Sequence, residues 1–187
     1  MFLGRKPSKQ AIHDFLDRQR GASYSYPETG ATLHGVPDGY HADHNQIQIG
    51  EGREALHRAQ AAVRSWKMFA MPWIDLCWPE VAIEVGSTVA VLVSHFGFYS
   101  LNAARIVYVV VEPNRFGFAY GTLVDHAEIG EERFTVEMRP AGDVWYEVLA
   151  FSRPHGFSKA AGPLARHLQC RFARDSMRSM SAAVRRG

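Results

Sequence analysis

Apolar and polar positions along the chain fall into runs with two different periods. Between Ser8 and Arg20, Ala11, Ile12, Phe15 and Leu16 share one helical stripe; Ser8 is placed to cap that helix and Gly21 to stop it. Ala22–Gly39 has no period but carries the turn signals SYSYPETG and GVPDG. A loop this long in a compact domain predicts a segment that wraps across the body. Ile47 and Ile49 alternate with Gln46 and Gln48, which predicts a strand within Tyr40–Gly50. Arg53–Met68 returns to helical spacing, with Leu56, Ala59, Gln60, Val63 and Trp66 on the side that packs inward. Val81, Ile83 and Val85 alternate as a strand would, and Val89–Val93 reads as another. His95–Asn102 reads as a loop. RIVYVVV at Arg105–Val111 is apolar on both faces, which predicts a central strand.

The next strand is entered through the turn Glu112–Arg115. In it Phe116, Phe118 and Tyr120 alternate with Gly117, Ala119 and Gly121, so three rings stand on one face and almost nothing on the other. A face this bare lets another group approach the backbone closely. Val124–Gly130 turns the chain back, Phe134, Val136 and Met138 alternate, and Val144–Phe151 is the last predicted strand. A terminal helix spans Gly162–Val184, with Pro163 at its start and a stripe of Leu164, Leu168, Phe172, Met177, Met180 and Val184.

The order is thus helix, strand, helix, about six to seven strands mostly joined by short turns, and one long helix. Short turns favour an antiparallel sheet. The long striped helix must bury its stripe, and the sheet is the large partner available. This α+β arrangement is similar to the helix-grip fold of START and Bet v 1-like proteins. That resemblance implies a curved sheet around the C-terminal helix, with an apolar cavity between them. The N-terminal helix and loop are additions to that plan. The rival arrangement is an open sheet with helices on one side and no cavity. One domain is expected over 1–187, with 1–39 as helix and wrapping loop and 40–187 as the body.

Composition narrows the function classes. A hydrophobic share of 47% and a charged share of 21% are ordinary for a globular protein, and a net charge of +2 does not call for nucleic acid. Arginines gather in the final helix, with Asp175 the sole acid from Arg166 onward. Cys77 and Cys170 make no metal-like spacing and suit a reducing compartment. No apolar run is long enough for a membrane span and no secretory leader is visible, so a cytoplasmic protein is expected. A homo-oligomer is left open.

The chemistry concentrates where the glycine-rich strand turns. His126, Glu128, Glu131 and Glu132 are acid/base candidates, because imidazole titrates near neutrality and a buried carboxyl is pushed toward it. The plain alternative is a turn-capping His126 with solvated carboxylates, one of them paired with Arg133. Arg105 and Arg153 open and close otherwise apolar strands. Each is read either as an orienting donor for a substrate or as half of an ion pair with Glu132 or Glu147. Trp66, Phe118, Tyr120, Trp145 and Phe151 are candidate ligand-lining rings, with plain core as the alternative. His41, Asp43 and His44 invite a metal, but in an extended segment the two histidines point to opposite sides, so no metal is expected. No phosphate-binding loop, dinucleotide fingerprint or nucleophile elbow is present, so no cofactor is expected.

The expected function is enclosure of a small apolar or aromatic molecule. The alternative is a cofactor-independent cyclase, dehydratase or isomerase of secondary metabolism. It would use His126 and Glu132 as acid and base, with Tyr120, Arg105 and Arg153 as orienting donors. A third alternative is a non-catalytic interaction protein.

Longer motifs carry a family resemblance. SYPETGAT at Ser25–Thr32, GYHADHNQIQIG at Gly39–Gly50, WKMF at Trp66–Phe69 and RIVYVVVEP at Arg105–Pro113 belong to it. So do GFAYGTLVDHAEIGEERF at Gly117–Phe134, AFSRP at Ala150–Pro154 and GPLARHLQ at Gly162–Gln169. The chain resembles the uncharacterised family called domain of unknown function nineteen-ninety, over nearly its whole length. Val124-Asp125 departs from that family's usual Pro-Gly pair, and His41, Asn45 and Gln46 replace more basic residues. The resemblance implies a fold and a site location but no established activity.

Overall fold

The computed structural model describes residues 1–95, 97–154 and 162–186. The elements in chain order are β1 (Phe2–Leu3), α1 (Lys9–Gln19), β2 (His41–Glu51), α2 (Gly52–Arg64), β3 (Ile74–Cys77), β4 (Thr88–Ser94), β5 (Tyr99–Glu112), β6 (Arg115–Thr122), β7 (Glu128–Met138), β8 (Asp143–Pro154) and α3 (Gly162–Arg186). Short 3-10 turns lie at Ala31–Leu33 and Lys67–Phe69.

One antiparallel sheet runs β2-β8-β7-β6-β5-β4-β3, with β1 added beside the start of β5. It curls into a half-barrel that holds α3 against its inner face. The curl has local causes. Register shifts between Ile106 and Tyr108 in β5, and between Gln48 and Gly50 in β2, bend two long strands. Along β7 and β8 the inner positions are even-numbered: Phe134, Val136, Val144, Tyr146 and Val148 join one core with Met177, Met180 and Val184 of α3. The Tyr146 hydroxyl lies 2.8 Å from Ser176 Oγ, which fixes the helix over β8. Of the predicted helical stripe, Leu164 lies outside the described side chains.

The outer face is covered by the N-terminal segment. Ser8 caps α1, its side chain accepting the Ala11 amide at 3.2 Å. Ile12 and Phe15 then pack on Ala90, Leu92, Leu101 and Ala103. The loop after α1 does wrap the body. Tyr24 bridges to Leu123, and Tyr26 stands over the bare face of β6, where a Cβ on Gly121 would come within 2.1 Å of its hydroxyl.

Three predicted elements differ. The helix read as Arg53–Met68 ends at Arg64, because Trp66 takes a left-handed backbone (φ 54°) and donates its indole N–H to Val81 O at 3.1 Å. Val81–Val85 is irregular chain, not strand. Val81 and Ile83 still reach the core, whereas Val85 is 68% exposed, so only the first two apolar positions marked burial. The strand lies instead at Ile74–Cys77, a four-residue edge held by its pairing with β4. The loop read as His95–Asn102 gives way at Tyr99 to β5, so Ser100 and Asn102 are strand residues.

Candidate functional site

Between the inner face of the sheet and α3 lies a hollow of about 930 Å³. Its walls are mainly apolar, with Ile74 from β3, Val91 and Val93 from β4, Val148 from β8, and Phe172 from α3. Phe172 is in turn held by the rings of Phe69 and Phe134, at 5.4 and 6.3 Å. A polar end is formed where β6 turns into β7. Tyr120 and Glu132 face each other across β6 and β7 as register partners, and the Tyr120 hydroxyl donates to Glu132 Oε2 at 2.7 Å.

The electrostatics of this end follow from burial. Glu132 is half-buried and lines the hollow. Burial pushes its carboxyl up to about 8; the Tyr120 hydrogen bond opposes this, and nearby Glu128 and Asp43 reinforce it. Burial also drives the Tyr120 phenol well above its ordinary value, with Glu132 adding to the effect. Glu128 is raised by burial as well, and its hydrogen bonds from Gln169 and Ser152 pull the other way. From α3, Gln169 Nε2 reaches both Glu128 oxygens (3.0 and 2.9 Å) and Ser152 Oγ (3.0 Å).

His126 sits in the turn before β7 and lines the same hollow. Its Nδ1 accepts the Glu128 amide at 3.0 Å. Burial lowers the imidazole to about 4, helped by the positive amino group of Met1, so the ring is neutral at physiological pH. No hydrogen bond joins His126 to Glu132 among the described residues. The partner of Glu132 is Tyr120.

The other predicted site residues divide by which face of the sheet they occupy. Arg105 points outward and caps the C-terminal end of α1, donating to Gln19 O (2.7 Å), Arg20 O (2.8 Å) and Ala22 O (2.8 Å). Arg153 is exposed and stacks over the Tyr40 ring at 4.9 Å. The two guanidinium groups are therefore not neighbours, and neither pairs with Glu132 or Glu147; Glu147 is bonded by Arg133. Trp145 lies under Arg139 at 4.1 Å. Phe151 is 0% exposed and borders the hollow, while its ring lies 5.5 and 4.9 Å from the rings of Tyr26 and Tyr40 on the outer side. Trp66 and Phe118 are core residues whose rings meet at 4.9 Å behind the wall. Of the five predicted rings, Tyr120 and Phe151 border the hollow, and Tyr120 brings a hydroxyl bonded to Glu132.

Glu131, next to Glu132, belongs to the outer face. It accepts from the Tyr26 hydroxyl (2.6 Å), the amides of Gly30 (2.7 Å) and Thr32 (3.0 Å), and the Thr32 hydroxyl. Its work is to fasten the N-terminal loop. His44 lies 3.5 Å from Glu147, whereas Asp43 lines the hollow and is paired with Arg166, so the two do not converge. Residues not anticipated from the sequence are Asn102, Ser100, His95 and Gln169. Asn102 bonds Ser100 Oγ (3.1 Å) and receives the Ala127 amide (3.3 Å), and His95 Nε2 lies 2.8 Å from the same Ser100 oxygen. Polar residues at every second position of a strand, Ser100 and Asn102, were the available signal.

A family model described as domain of unknown function (DUF1990) matches residues 25–179. The chain belongs to the DUF1990 family. A UPF0548 protein of Deinococcus radiodurans is 39% identical over 197 residues, covering 98% of this chain and 99% of that one. A UPF0548 protein of Dictyostelium discoideum is 34% identical over 211 residues, covering 98% and 96%. Among solved structures, a protein from Arthrobacter aurescens superposes with a TM-score of 0.53 at 11% identity, covering 78% of this chain and 87% of that one. Ara h 8.0201 does so with a TM-score of 0.50 at 13% identity, covering 80% and 100%. These likenesses show the fold: this DUF1990 chain has the helix-grip architecture. Among its described residues no helix is long and apolar enough to cross a membrane.

Proposed function

We propose that the protein binds a small apolar or aromatic molecule in the hollow between the sheet and α3. The observation that carries this reading is the hollow itself. At about 930 Å³ it matches the size of sites that hold drug-sized molecules, and a mainly apolar wall with a few convergent polar groups is the usual makeup of such sites. The helix-grip architecture supports the same reading.

One observation favours a catalytic reading on the same scaffold. Glu132, with a carboxyl near 8, and its partner Tyr120 form an acid poised close to neutral pH beside apolar space. In that reading the proton donor and acceptor is Glu132, Tyr120 orients it, and neutral His126 supplies a hydrogen bond to the substrate. Arg105 and Arg153 have no part.

Filling the hollow tests the binding reading. Ala150 is small, lines the space, and is paired with Glu132 across β7 and β8. Ala150→Trp is expected to weaken binding of the neutral apolar dye Nile red by about tenfold or more, with an unchanged circular dichroism spectrum. Equal dye binding by the folded variant would place the dye elsewhere and remove the support for a guest in the hollow.

A further inference from the structure

The charge on the wall of the hollow is one-sided. The ionisable groups lining it, among the described residues, are Asp43, Glu128, Glu131, Glu132, His95 and His126; no Lys or Arg is among them. Two of the acids are accounted for. Glu131 turns its carboxyl to the outer face, where four donors hold it. Asp43 is paired with Arg166, which stands exposed at the rim on α3. Glu128 and Glu132 remain, and the donors that reach them are neutral: Gln169 and Ser152 for the first, the Tyr120 hydroxyl for the second. Both histidines are lowered by burial, and the Met1 amino group beside His126 is held by Leu101 O and Asp125 O.

A carboxylate in an apolar space without a cation is costly. Without a cationic partner Glu132 avoids that cost by keeping its proton at neutral pH. The site is thus complementary to a positive group that the protein does not itself supply. We propose that the guest is an apolar molecule bearing a basic amine, whose ammonium docks on Glu132 beside the Tyr120 hydroxyl while its hydrocarbon lies along Val91, Val148 and Phe172. This rests on the binding reading given above. A fatty-acid-like carboxylate is disfavoured by the same geometry, since it would meet acids and no compensating cation.

The proton accounting is simple. The amine enters as an ammonium, Glu132 releases its proton to solvent, and an ammonium–carboxylate pair replaces a buried neutral acid. The groups facing Glu132 are Tyr120 from β6, Glu128 on its own strand, Asp43 from β2 with its Arg166 partner from α3, and Tyr146 from β8. None is a cation free to replace the ligand. Below about pH 8 the carboxyl is protonated and must be ionised for the pair to form. Amine affinity therefore falls as pH drops, approaching about tenfold per unit. A neutral alcohol shows no such loss, and prefers the protonated acid.

The test uses the whole chain and displacement of Nile red by decylamine, decanol and decanoate, each below its aggregation concentration, at pH 6.5, 7.5 and 8.5. The expected result at pH 8.5 is decylamine about 10- to 100-fold tighter than decanol, the range of a charge-assisted hydrogen bond, with decanoate weakest. The amine advantage shrinks on acidification. Glu132→Gln removes the amine advantage and its pH dependence, and an unchanged circular dichroism spectrum shows that the fold is intact. Equal binding of amine and alcohol, tightest binding of decanoate, or an amine advantage that survives Glu132→Gln would overturn the amine assignment while leaving the hollow as a binding site. No binding of the dye or of any of the three would overturn the binding reading with it. The wild-type pH profile decides the matter by itself if the variant does not fold.

Discussion

Glu131→Ala is expected to lower the thermal unfolding midpoint by about 6–12 °C, corresponding to at least about 3 kcal/mol. The side chain is 2% exposed and serves as common acceptor for the Tyr26 hydroxyl, the Gly30 and Thr32 amides and the Thr32 hydroxyl. Its removal orphans two backbone amides and a phenol in a dry place, and each such donor costs about 1–3 kcal/mol. The damage spreads, because Thr32 also accepts from Arg133 through its carbonyl and lies 2.6 Å from the Tyr108 hydroxyl through its own. Glu131→Gln is nearly isosteric but sets an NH₂ group against donors, so it recovers only part of the loss. Differential scanning calorimetry reads both variants, and limited proteolysis reports whether the segment 22–40 is freed. A midpoint within about 2 °C of wild type would mean that the loop is not held at this carboxyl.

Gly117→Ala is the second large effect, and it arises from space. A Cβ at Gly117 would lie 2.2 Å from Phe134 O, 2.5 Å from Thr135 Cγ2 and 2.8 Å from Thr135 Cα. Two of these atoms are backbone of the neighbouring strand, so relief requires β6 and β7 to part. Overpacking of this kind costs about 1–3 kcal/mol, and the upper end is expected where backbone must move. Gly21→Ala is the control: nothing lies within 4 Å of its built Cβ, and a change within about 0.5 kcal/mol is expected. Chemical denaturation of the pair decides it. Similar midpoints would show that the β6–β7 contact yields more easily than its geometry implies.

These two residues also show what was legible in the sequence. The alternation of large rings with Gly117, Ala119 and Gly121 announced a face that something approaches closely, and Tyr26 does so at Gly121. The order of elements and the striped final helix led to the helix-grip arrangement. Face parity was not legible. Both sides of β7 and β8 carry apolar and ionisable residues, because the outer face is itself buried under the N-terminal loop. Trp145 therefore looked as suited to a cavity as Val148, and Glu131 as suited as Glu132. The β7–β8 register, pairing Glu132 with Ala150 and Phe134 with Val148, settles which set faces α3. Arg105 misled for a related reason. An arginine at the start of an apolar strand signals a buried acceptor, but the acceptors are carbonyls at the end of α1, which no spacing in the sequence links to it. Gln169 could be placed on the hollow only once the helix and sheet were docked.

The central claim is that a guest lies between the sheet and α3. Amide and methyl chemical-shift mapping of the isotope-labelled protein with saturating decanol tests it most directly. The account predicts shifts concentrated at Val91, Ala104, Val148 and Phe172, with the outer-face residues Tyr24, Thr32 and Tyr108 left in place. Shifts confined to the outer face, or none at a concentration that saturates dye displacement, would contradict it.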